Sequence, residues 1–169
     1  QRRRKQPQSG DGFSAQCKAG HDSEHSSDGE PRVNQPVLRA LAARDLAGLG
    51  LDGYRLSIAW PRVMDEKGTP NQKGLDFYRR LLARLNEKGL KTFVTLYHWD
   101  LPQYLQDRGG WTNRDIVYRF ADYADLMSRE LAGQVSAWAT LNEPWCSAYL
   151  GYGSGHHAPG HRSLREATQ

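Results

Sequence analysis

The feature that most restricts what this chain can fold into is an alternation running from Tyr54 to Trp145. Residues 54–60, YRLSIAW, are a short run of strand-forming residues closed by Pro61. Residues 71–90, NQKGLDFYRRLLARLNEKGL, then place Tyr78, Leu81, Leu82 and Leu85 on one helical face, with Gly89 as a left-handed stop. Residues 91–99, KTFVTLYHW, return to β-branched and aromatic composition. A second helix is predicted after a cap at Thr112 or Asn113. Its Ile116, Phe120, Tyr123 and Met127 recur at helical spacing, and Gly133 closes it. Residues 135–145, VSAWATLNEPW, supply a third strand. Strand, helix, strand, helix, strand predicts βαβ units on a parallel sheet, an α/β fold.

Residues 1–36 carry none of this periodicity. They are rich in Gly, Ser, Asp, Glu and Pro, and such a segment buries too little apolar surface to offset the entropy of ordering it. It is expected to be poorly ordered, with the α/β unit occupying 37–169. That unit opens on a short helix in VLRALAARDLAGLGL, which ends near Gly48 or Gly50. The net charge of +4 is concentrated in the N-terminal QRRRKQ. A basic cluster can attract nucleic acid or an anionic membrane. Without stacking aromatics or a nucleic-acid fold beside it, it reads as a solvated tail, so neither partner is expected. Cys17 and Cys146 are far apart and lack metal-ligand spacing. They read as two free thiols of a reducing compartment. No apolar run reaches the length of a signal or transmembrane segment, so a cytoplasmic, soluble protein is the expectation. Oligomeric state has no signature here.

In parallel α/β folds, functional groups gather at the C-terminal ends of strands. Arg55 lies within the first strand candidate, His98 and Trp99 end the second, and Asn142 and Glu143 end the third. A carboxylate beside an amide, as in TLNEPW, suggests a carbohydrate-cleaving site. Cleaving an acetal requires a proton on the leaving oxygen, hence one carboxyl that stays protonated at working pH. In retaining enzymes a second carboxylate, roughly 5–5.5 Å away, attacks the anomeric carbon from the opposite face. A nearby arginine would lower that second pKa. Each residue also has a plainer reading. His98 could be a satisfied core histidine, Arg55 could pair with a structural acid, and Glu143 could be an ordinary strand-end carboxylate. Trp60, Trp111, Trp138 and Trp145 read as core, Cys146 as packed beside Glu143, and Arg79, Arg80, Arg84 and Lys88 as a solvated helix face.

The motifs YRLSIAWPR, GLDFYRRLLARLNEKGL, TLYHWDLPQYLQDRGGWTNRD, WATLNEPW and GYGSGHHAPG, in this order and spacing, resemble the family 1 glycoside hydrolases of the β-glucosidase group. The resemblance runs from about Leu46 to about Gly160. It implies a (β/α)₈ TIM barrel, of which this chain would carry strands two to four, and a retaining β-glycosidase acting without cofactor or metal. On the family pattern Glu143 is the general acid/base, and Asn142 holds the sugar 2-hydroxyl. His98 and Trp99 line the glycone subsite, and Arg55 supports the nucleophile. The histidines of HHAPGH fall in a family loop that is not a metal site.

The resemblance also implies a nucleophilic glutamate in a Glu-Asn-Gly context on the seventh strand, and these 169 residues contain no such segment. The family's first strand, with its glutamine, is not recognisable either. A barrel of this type takes ~250 residues, so three strands are expected to leave it unclosed. The chain is accordingly expected to be a partial sequence or the product of a damaged gene, with a possible frame error upstream of about Ala43. By itself it should show little activity. Two alternatives follow from the same motifs: a sugar-binding pseudoenzyme, and an enzyme for 6-phospho-β-glycosides.

Overall fold

A computed structural model describes residues 50–169. The expectations for residues 1–36, for Cys17 and for the helix predicted from Val37 lie outside the described residues. Three parallel strands form one sheet in the order β1 (Gly53–Ser57), β2 (Lys91–Tyr97), β3 (Ala137–Leu141). Between β1 and β2 run a one-turn α1 (Trp60–Val63) and the long α2 (Gln72–Glu87). Between β2 and β3 run α3 (Gln103–Gln106), a 3₁₀ turn at Gly110–Thr112, and α4 (Ile116–Glu130). A π-helical segment, Cys146–Gly153, and α5 (Leu164–Ala167) follow β3. The βαβαβ order is the predicted one, and among the described residues the sheet does not close.

The first strand is shorter than its sequence suggested. Its ladder ends at Ser57, with one further bond from the Ile58 N–H to the Thr95 carbonyl. Pro61 then presets the chain for a helical turn that begins at Trp60. α4 also starts later than predicted. Thr112 belongs to the 3₁₀ turn, and Asn113 accepts from the Asp115 N–H to make an Asx turn before the helix.

Packing rather than propensity holds the helices. α2 buries Leu75, Leu81, Leu82 and Leu85, each at 3% exposure or less. At about 1.5–3 kcal/mol per buried leucine, that outweighs the few tenths per residue that propensity offers. Its Gly74 lies where a Cβ would sit 2.1 Å from the Arg62 carbonyl oxygen, so this face of the helix can approach the chain leaving α1. α4 contributes Tyr123, fully buried, stacked on Trp60 at 4.7 Å with the rings 8° apart. The Tyr123 hydroxyl donates to the Leu96 carbonyl at 2.8 Å, fixing the helix along β2. Arg79 is not simply a solvated residue. It pairs with Asp76 on its own helix and with Glu130 at the end of α4, tying the two helices together.

Two tryptophans predicted as core are not. Trp138 is 38% exposed and Trp145 is 59% exposed, whereas Trp60 is fully buried. Trp138 alternates onto the same sheet face as Val94, but it lies on β3, which has no further strand beside it among the described residues. Trp145 instead stacks on Tyr149 of the π-helical segment, 5.4 Å away.

Candidate active site

The register aligns Arg55 with Phe93, Ser57 with Thr95, Thr95 with Ala139, and Tyr97 with Leu141. With a side-chain period of two, all of these share one face, opposite the face that α2 and α4 cover. Arg55 reaches from β1 across this open face. Its Nε and Nη2 each donate to Thr95 Oγ1 at 3.3 Å, and Nη2 donates to Asn142 Oδ1 at 2.6 Å. The arginine therefore bonds two neutral side chains, not the structural acid that was its plainer reading.

Asn142 closes the network. It is 8% exposed, and its backbone N–H extends the ladder to the Tyr97 carbonyl at 2.9 Å. Its Nδ2 lies 3.2 Å from His98 Nε2. Since an amide nitrogen can only donate, His98 Nε2 accepts and the imidazole proton sits on Nδ1. Burial, and then the Arg55 charge, hold the His98 pKa below the ordinary histidine value, while Glu143 opposes them. The neutral ring that the bond requires is thus the favoured one. Trp99 joins from the same strand end, its Nε1–H donating to the Asn142 carbonyl at 2.9 Å.

Both strand ends carry a non-glycine residue in the left-handed region: Trp99 at φ 76° and Glu143 at φ 42°. Such conformations cost about 1–3 kcal/mol and persist only where surrounding contacts over-determine them, commonly at functional sites. Glu143 is exposed. Its carbonyl accepts from the Cys146 N–H at 2.9 Å, and its Oε2 lies 3.4 Å from Cys146 Sγ, which donates. Partial burial and the Glu143 carboxylate push the Cys146 thiol pKa up. Cys146 does sit beside the candidate acid, as expected.

The loop after the π-helical segment supplies a residue that the sequence did not single out for the site. The His157 ring packs 5.3 Å from Trp99. His156 instead bonds Ser154 Oγ at 2.8 Å, and His161 pairs with Glu166 at 2.7 Å. Among the described residues, no group of three His, Cys, Asp or Glu side chains is placed to hold a metal. Thr95, the hydroxyl under Arg55, was also missed, although its place two residues before Tyr97 on the open face could have flagged it. Arg55, His98, Trp99 and Asn142 are thus brought into one bonded cluster. Glu143 joins it as the next residue along the chain.

An arginine, a histidine, a tryptophan, an asparagine and a glutamate thus gather at one end of three parallel strands. The chain belongs to glycosyl hydrolase family 1, whose sequence profile matches residues 37–169. A bifunctional β-D-glucosidase/β-D-fucosidase of Bifidobacterium breve is 52% identical over 120 residues, covering 68% of this chain and 26% of the relative. The crystal structure of the β-glucosidase from Exiguobacterium antarcticum B7 superposes with a TM-score of 0.76 at 47% identity, over 79% of this chain and 30% of that one. The Thermotoga maritima β-glucosidase in complex with deoxynojirimycin superposes with a TM-score of 0.74 at 46% identity, over 77% of this chain and 29% of that one. The chain spans about a quarter of the length of the curated relatives it matches. Its unclosed three-stranded sheet is a partial (β/α)₈ barrel.

Proposed function

We propose that this chain is the acid/base portion of a retaining β-glucosidase. Glu143 is the proton donor to the departing oxygen, and later the base that activates water. Asn142 and His98 present a pre-formed polar edge to the sugar, Trp99 an aromatic one, and Arg55 the positive charge that keeps the partner carboxylate ionised. The observation that carries this reading is the continuous chain Thr95–Arg55–Asn142–His98, which spans all three strands. Such support holds a site within the tolerance that proton transfer needs.

The test is a chimera in which residues 46–160 replace the matching segment of the Thermotoga maritima enzyme. The chimera should hydrolyse aryl β-D-glucosides. Glu143→Gln should cut turnover of a poor leaving group by roughly 10²–10⁴-fold. It should spare a dinitrophenyl glucoside in the first step, since that leaving group needs no proton, and azide should rescue the second. Equal losses on both leaving groups would remove Glu143 from the acid/base role.

A further inference from the structure

Asp100 is a carboxylate that the proposed chemistry leaves unused, though it follows His98 and Trp99 directly. It sits in the turn leaving β2, half-buried. Its Oδ1 accepts from the His98 N–H at 3.3 Å. The backbone N–H groups of Trp60, His98 and Asp100 itself favour its ionised form. Trp60 follows β1, so one carboxylate meets the chain leaving both strands. Between His98 and Asp100 stands Trp99, an aromatic residue in the left-handed region. Its indole N–H bond to Asn142 and the turn around it must together offset that strain. We propose that Asp100 is a positioning residue for Trp99 and His98. By bonding the turn from within, it fixes the left-handed backbone that aims the Trp99 indole at Asn142. The proposal rests on the glycosidase reading only for what Trp99 contacts, not for how it is held.

The surroundings make this clamp sensitive to protonation. The titratable groups facing Asp100 are Tyr78 from α2, Tyr97 from β2 and Tyr123 from α4, with His98 two residues back in the same turn. The tyrosines are neutral and give it no cation. Burial raises its pKa to about 6, with the backbone N–H groups opposing. Below that value the carboxyl is neutral and a weaker acceptor, so the turn should loosen.

The test is ¹⁵N-tryptophan NMR of the chimera, which carries residues 46–160 in a closed barrel, between pH 4.5 and 7.5, with the Trp99 indole assigned by Trp99→Phe. The Trp99 resonance should titrate near pH 6. That titration should survive His98→Gln and vanish in Asp100→Asn, which keeps an acceptor oxygen but cannot ionise. Asp100→Ala should speed exchange of the Trp99 indole proton by roughly tenfold or more, with Asp100→Asn restoring much of the protection. The idea is overturned if Asp100→Ala leaves shift and exchange unchanged, or if the titration follows His98 instead. Should the alanine variant fail to fold, the asparagine titration decides alone. Failure of the chimera assay would remove the sugar from this account, yet leave the Trp99 measurements as they stand.

Discussion

At the scale of single residues, Arg55 matters most because one guanidinium serves two strands besides its own. Arg55→Ala would leave Asn142 buried with one acceptor unpaired, a loss of about 1–3 kcal/mol. Thermal unfolding of the variant measures that. Arg55→Lys should recover little, since a point charge cannot hold Thr95 and Asn142 together as a planar fork does. Asp100 runs the other way. Its folded pKa of about 6 lies above the ordinary value of 3.8, so the folded state binds the proton more tightly than the unfolded one. Its contribution to stability is greatest at acid pH, falls as pH rises from about 4 to about 6, and stays lower beyond. Asp100→Asn should therefore flatten that acid-side slope, while at pH 7–8 relief of the carboxylate's desolvation is set against loss of the ionised acceptor in the turn. Urea unfolding midpoints at pH 5 and pH 8 test this, and a variant that keeps the wild-type difference between the two pH values contradicts it. For His98, whose folded pKa is lowered, the sign reverses. Its bond from Asn142 contributes fully above the ordinary histidine value and is lost as pH falls through the lowered one.

At the scale of elements, the two long helices were legible because each buries a stripe at period 3.6, and β2 because five of its seven residues are β-branched or aromatic. Their ends were less so. Trp60 and Ile58 have strand composition, yet Pro61 diverts the chain into a helical turn, and local composition does not show which tendency wins. The candidate residues at the strand ends were legible through their motifs. The bonds among them were not, because Thr95 beneath Arg55 and Asp100 beneath Trp99 depend on register and burial. Gly74 makes a related point. Alanine is intrinsically better in a helix by about 1 kcal/mol, but here its methyl would strike the Arg62 carbonyl. Gly74→Ala should accordingly destabilise by roughly 1–3 kcal/mol despite the gain in propensity. An unchanged or raised melting temperature would show that α2 can slide away from α1 at little cost.

At the scale of the whole molecule, the described sheet has two unpaired edges and an uncovered face. Phe93, Trp138, Leu141 and Trp145 are each at least 37% exposed. Apolar surface of this kind favours association. The 169-residue chain should bind a fluorescent apolar dye strongly and sediment as a concentration-dependent mixture, whereas the chimera should do neither. Assayed by itself, the 169-residue polypeptide should turn over aryl glucosides on the order of 10³-fold or more below the chimera, if Glu143 serves as the acid and the rest of the barrel brings the partner carboxylate. Comparable turnover would mean that this chain can complete a working site. The bond from Arg55 to Asn142 also sets how such a molecule can be inherited. It joins positions 87 residues apart, one on the first strand and one just past the end of the third. A genetic crossover between relatives that falls inside this interval draws the two partners, and the packing around each, from different parents, whereas one on either side keeps both from one parent. In a shuffled library of family members, active recombinants should carry residues 55–142 from a single parent more often than chance allows.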